Sequence, residues 1–215
     1  LFGNHQFSQL QIVLILSAFK ADHVITIYMI GDSTMSNKPL EGNNQERGWG
    51  HVLGSFFTED VRVENHAMNG RSSKSFIDEG RWVTVVNKIR PGDYVFIQFG
   101  HNDEKPQPER HTDPGTTFDE NLRKFVRETR AKGGIPVLFN SIVRRNFGVN
   151  PDAVAADDIR PEKDEAVVEG DTLIDTHGKY LESPRNVAKE MDVCFIDLNQ
   201  ATKKLVESYG VEGSK

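Results

Sequence analysis

Residues 24–35 read Val-Ile-Thr-Ile-Tyr-Met-Ile-Gly-Asp-Ser-Thr-Met. Seven apolar or β-branched residues run unbroken to Gly31, too few for a membrane span and too continuous for a half-exposed strand. Such a run predicts a strand buried on both faces, as in a parallel sheet. The small polar group that follows, Gly31-Asp32-Ser33-Thr34, predicts a turn leading into a helix.

The same alternation recurs along the chain. Trp49–Phe57 predicts a helix, and 61–66 a second strand. Residues 75–89 carry helical spacing and stop at Pro91-Gly92; Tyr94–Phe99 predicts a third strand ending at Gly100. In 117–132, Phe118, Leu122, Phe125 and Val126 form one apolar stripe before Gly133-Gly134, which predicts a helix with a stop. Residues 136–140 predict a fourth strand, 144–172 a long polar and acidic loop, 177–190 a helix, 193–198 a fifth strand and 199–209 a last helix. Strands alternating with helices predict an α/β fold: a five-stranded parallel sheet, helices on both faces, in a flavodoxin-like order. A site in such a sheet lies beyond the carboxyl ends of the strands.

The chain has 215 residues, enough for one domain with a full core. Its 26 basic and 32 acidic residues give a net charge of −6. That balance argues against a nucleic-acid or anionic-membrane partner, either of which calls for a basic patch. The single cysteine, Cys194, lies in an apolar run and is expected in the core. No Cys/His cluster has zinc-ligand spacing, so no metal is expected. Leu10–Ala18 (LQIVLILSA) has the length of a signal-peptide core, although residues 1–9 hold no Lys or Arg. We therefore read 1–21 as a leader remnant or N-terminal extension, 22–215 as the domain, and the location as secreted or periplasmic.

Three strand ends carry small, polar, hydrogen-bonding residues: Gly31-Asp32-Ser33-Thr34-Met35, Asn69-Gly70-Arg71-Ser72-Ser73 and Gly100-His101-Asn102-Asp103. Alone, Ser33 reads as a helix cap, Gly70 as a turn glycine and Asn102 as a turn asparagine. In this order they resemble the first three blocks of the SGNH (GDSL-type) hydrolases. The variants GDSTM, NGRSS and FGHND, with Asp175-Thr176-His177-Gly178, look most like the rhamnogalacturonan acetylesterase branch. The resemblance runs from about residue 24 to about residue 210 and implies the three-layer α/β/α SGNH fold.

The resemblance also implies acyl transfer. Ser33 would be the nucleophile. The backbone N–H groups of Ser33 and Gly70 and the amide of Asn102 would hold the oxyanion. An acetyl-enzyme would form on Ser33 and be released by water, with no metal or organic cofactor. The expected substrate is an acetylated pectic polysaccharide or oligosaccharide. A lipid or small-ester esterase and a non-catalytic carbohydrate binder of the same fold are the rival readings. Asp32, Arg71, His101 and His177 are candidate substrate contacts. Arg71, Ser72 and Ser73 can equally serve to cap the next helix. Arg144-Arg145 reads as a solvated pair or as an attractor of an acidic sugar, and Trp82 as core or as a sugar-stacking rim residue.

The sequence departs from the family in one respect. The family's fourth block, D-x-x-H, supplies the general base and its carboxylate after the fifth strand. No D-x-x-H follows residue 198, and no histidine follows His177. We expect the base to lie in a tail beyond Lys215. Asp175-Thr176-His177 has the wrong spacing and precedes the fifth strand; Asp175 is expected to cap a helix and His177 to order a loop.

Overall fold

The computed structural model describes residues 24–148 and 170–214. The expectations for residues 1–21, and for nearly all of the acidic loop, lie outside them. Five parallel strands form the central sheet: β1 (Ile25–Gly31), β2 (Val61–Asn65), β3 (Tyr94–Gln98), β4 (Ile135–Phe139) and, at one edge, Cys194–Ile196. The spatial order is β2, β1, β3, β4, then Cys194–Ile196, which is the flavodoxin-like order expected. In register, Gly31 lies beside Gln98, and Gln98 beside Phe139, so the strands end together at one edge of the sheet.

The continuous apolar runs follow from burial on both faces. Ile25, Ile27 and Met29 of β1 face one layer with Phe96, Val137 and Phe139. Tyr28 and Ile30 face the other with Val95, Ile97 and Leu138. On that second side pack α2 (Ser73–Asp78), α3 (Arg81–Val86), α4 (Thr117–Ala131) and α5 (Glu182–Met191). On the first lie α1 (Trp49–Val52), continued by a 3-10 turn at Leu53–Phe56, and the start of α6 (Leu198–Gly213). The stripe read from α4 is its buried face: Phe118, Leu122, Phe125 and Val126 are 0% exposed. Burying one such side chain contributes about 1.5–3 kcal/mol.

Several local expectations are corrected. The helix read over 75–89 is two helices, broken at Gly80, whose φ of 71° lets the chain turn between them. The helix expected from His177 opens as a 3-10 turn at Gly178–Leu181. The long loop is closed at its base by a two-residue antiparallel ladder, β5 (Phe147–Gly148) with β6 (Thr172–Leu173); the edge strand Cys194–Ile196 is accordingly β7. Cys194 is exposed and not in the core, because β7 pairs on one side only. Trp82 is 1% exposed, packed on Phe125 and donating from Nε1 to Glu128, so it is no rim residue.

Candidate active site

Ser33 stands on a turn built by its neighbours. A Cβ at Gly31 would lie 2.6 Å from the Gln98 carbonyl oxygen, so only glycine lets β1 end this close to β3. The Asp32 carbonyl then accepts from Met35 N at 3.3 Å and Ser36 N at 3.0 Å, a single helical turn. The Asp32 carboxylate folds back on its own loop, where Oδ1 accepts from Thr34 N at 2.9 Å and Thr34 Oγ1 at 2.7 Å. Gln98 Nε2 donates to the same Thr34 hydroxyl at 2.7 Å, while its Oε1 accepts from Trp49 Nε1 at 2.6 Å. Ser33 is left partly exposed at the crest, its hydroxyl without a hydrogen-bond partner among the described residues.

Specific contacts bring the other two loops to this turn. Met68 N donates to the Gly31 carbonyl at 3.0 Å. The Asn69 side-chain oxygen accepts from Ser36 Oγ at 2.5 Å and from the buried Lys38 Nζ at 2.9 Å. Gly70 follows with φ 75°, a conformation that L side chains rarely adopt. Asn102 Nδ2 donates to the Arg71 carbonyl at 3.1 Å, which spends one of its two hydrogens and ties the third loop to the second. Asp103 completes the tie, accepting from Ser73 N at 3.0 Å, from the Ser73 hydroxyl, from Thr112 Oγ1 at 2.9 Å and from Gly100 N at 3.1 Å. Among the described residues the N–H groups of Ser33 and Gly70 donate no hydrogen bond. Ser33, Gly70 and Asn102 therefore stand on one cross-linked rim, with donors to spare.

Two carboxyls sit beneath that rim. Burial pushes Asp32 from the ordinary 3.8 up to about 6, against the Thr34 hydrogen bonds and the charges of His177 and Arg144. Burial, with a smaller push from Asp32, takes Asp103 up to about 7 against its bonds from Ser73 and Thr112. A carboxyl raised on folding binds its proton more tightly in the folded protein. Its contribution to stability is full at acid pH and is lost as pH rises through the folded value. The urea midpoint should therefore fall between about pH 4 and about pH 7, and fall less in Asp32→Asn, which keeps an oxygen for Thr34. An unchanged slope in that variant would remove Asp32 from the titration.

The structure redraws the outer residues. Asp32 (0% exposed), His177 (1%) and His101 (6%), read from the sequence as candidate substrate contacts, are buried. His177 Nδ1 lies 3.0 Å from Glu104 Oε2, and Nε2 lies 3.0 Å from the Ile142 carbonyl. Both ring nitrogens are thus engaged, consistent with loop ordering. Asp175 Oδ1 accepts from His177 N at 3.0 Å, an Asx turn just before the 3-10 helix. Ser72 caps α2 in a capping box with Ser75. Arg71 stays partly exposed, bound to Glu79 and to the Asn69 carbonyl. Arg144 and Arg145 are not a solvated pair. Arg144 is 8% exposed and paired with Glu104, while Arg145 lies over Phe147 and bonds to Ser214. The sequence reading missed Lys38, Gln98 and Glu104; the signal for the last two was their place beside the Gly100–Asp103 block.

Comparison with known proteins agrees with this geometry. The GDSL-like Lipase/Acylhydrolase family model matches residues 29–209. Rhamnogalacturonan acetylesterase RhgT of Bacillus subtilis is 40% identical over 191 residues, covering 89% of this chain and 72% of RhgT. The crystal structure of YxiM from Bacillus subtilis superposes with a TM-score of 0.68 at 26% identity, covering 87% of this chain and 47% of that one. A tryptophan variant of Axe2, an acetyl xylan esterase from Geobacillus stearothermophilus, shares the fold with a TM-score of 0.56 at 17% identity, covering 85% and 80%. With the family model spanning all three loops and the strands that carry them, the chain belongs to the GDSL-like lipase/acylhydrolase family of carboxylic ester hydrolases.

Proposed function

We propose that this protein is a serine carbohydrate esterase that removes O-acetyl groups from rhamnogalacturonan. The observation that carries the reading is the rim itself: a partly exposed Ser33 hydroxyl beside unused N–H donors of Ser33 and Gly70 and the remaining amide hydrogen of Asn102. The 40% identity to RhgT over 89% of the chain supports the choice of substrate.

In this reading Ser33 Oγ attacks the acetyl carbonyl carbon. Negative charge gathers on the carbonyl oxygen, where donors fixed in advance stabilise it more than they stabilise the ester. Collapse of the tetrahedral intermediate breaks the bond to the sugar oxygen, which leaves as a hydroxyl. Water then attacks the acetyl-enzyme and releases acetate. A serine hydroxyl needs a general base. No described imidazole hydrogen-bonds Ser33, and both nitrogens of His177 are occupied. We therefore assign the base to a residue outside 24–148 and 170–214. A secreted or periplasmic location suits a polymeric substrate and is part of the proposal.

The test is acetate release from acetylated rhamnogalacturonan, acetylated xylan and p-nitrophenyl butyrate by the full-length protein. The proposal expects the highest kcat/KM on rhamnogalacturonan. Faster turnover of the butyrate ester with no release from either polysaccharide would favour the small-ester reading.

A further inference from the structure

Beneath the third loop lies a buried ionic cluster that the acyl-transfer chemistry does not use. Arg144 leaves the end of β4 and turns inward, 8% exposed. Its NH1 pairs with Glu104 Oε1, donates to Thr176 Oγ1 at 3.2 Å and lies 3.3 Å from His177 Nδ1. Its NH2 donates to the His101 carbonyl at 3.1 Å. Glu104 is equally enclosed, its side chain 10% exposed, and its other oxygen faces His177. His101 and His177 lie ring to ring with centroids 4.4 Å apart.

Burying an ion pair is a poor way to gain stability, since desolvation of both charges offsets most of their attraction. The Nε of Arg144 is also buried without a hydrogen bond among the described residues, an added cost. What the guanidinium does supply is a rigid fork. It grips the third loop at His101 and at Glu104, and Asn102 lies between the two grips. The same fork reaches the segment before α5 through Thr176. Across the loop, Asp103 is held by Ser73, Thr112 and Gly100.

We propose that Arg144, with Glu104, is a positioning residue that holds the Asn102 amide at the oxyanion. The proposal rests on the esterase reading above. Arg144 touches no substrate in it; it acts through the backbone that carries Asn102. Lysine keeps the charge at this position but cannot reach the His101 carbonyl, Glu104 and Thr176 together.

The experiment is a double-mutant cycle on acetate release by the full-length protein, with Arg144→Lys, Asn102→Ala and the pair. Arg144→Lys should lower kcat about 30-fold with KM within about 2-fold, the signature of an interaction made in the transition state. A displacement of about 1 Å at a catalytic group is enough for such a loss. In the Asn102→Ala background the same change should cost less than about 3-fold, because the group it positions is gone. Equal factors in both backgrounds would overturn the proposal while leaving the esterase reading intact, and so would an unchanged kcat in Arg144→Lys. An Asn102→Ala protein of full activity would sink the underlying reading and the proposal with it. Should Arg144→Lys lack a cooperative thermal transition, Glu104→Gln takes its place in the cycle under the same criterion.

Discussion

Replacing Ser33 by alanine is expected to lower kcat for acetyl release by about 10⁴–10⁶-fold, the range seen when the nucleophile of a serine hydrolase is removed. The substitution deletes one oxygen from a partly exposed position whose hydroxyl holds nothing else together. The turn beneath it is fixed by Asp32 and Thr34 and by the Gln98 bridge, none of which needs the Ser33 side chain. Stability and the urea midpoint should therefore stay within about 0.5 kcal/mol of wild type, as for a surface substitution. KM should change little. The separation matters: a merely capping serine would show the reverse pattern, with stability lost and turnover kept. The assay is acetate release under saturating substrate, paired with urea unfolding of the same preparations.

Asn102→Ala is expected to lower kcat by about 10²–10³-fold, the loss typical of removing one oxyanion donor. Only one amide hydrogen is committed to the protein, in the bond to the Arg71 carbonyl. The other is free to meet charge that develops only in the transition state, so the loss should fall on kcat and not on KM. Asn102 is 3% exposed and ties two loops together, so some stability is lost as well, about 1 kcal/mol for the missing hydrogen bond. Steady-state kinetics at a temperature well below the variant's thermal transition separate the two effects. A loss confined to KM would mean that Asn102 binds the ground state instead.

The frame of the fold was legible because its physics is local. Residues 25–30 are apolar apart from the β-branched Thr26, and 94–97 and 136–139 are apolar throughout, and only burial on both faces tolerates that. Ser33, Gly70 and Asn102 stood out because each follows a strand, where an open parallel sheet puts its crevice, and their proposed roles came from the resemblance of their segments to the SGNH blocks. Less was legible wherever the partner is distant in sequence. Nothing in Arg144-Arg145 says that the first turns inward, since its partners Glu104 and Thr176 lie 40 and 32 residues away by number. Lys38 is of the same kind: a lysine after a turn reads as solvated, yet this one is drawn beneath the second loop by Asn69 and Glu46. Cys194 failed for another reason. An apolar run states that a strand has an apolar neighbourhood, not whether that strand lies at the edge of the sheet.

Covalent trapping tests directly whether Ser33 is the nucleophile. The full-length protein is treated with a p-nitrophenyl alkylphosphonate, which would form a Ser33 Oγ–phosphorus bond and release p-nitrophenolate. Peptide mapping by mass spectrometry then locates the adduct. One stoichiometric adduct on Ser33 is expected, lost in Ser33→Ala and slowed in Asn102→Ala. An adduct on another residue, or labelling at an equal rate in Ser33→Ala, would contradict it.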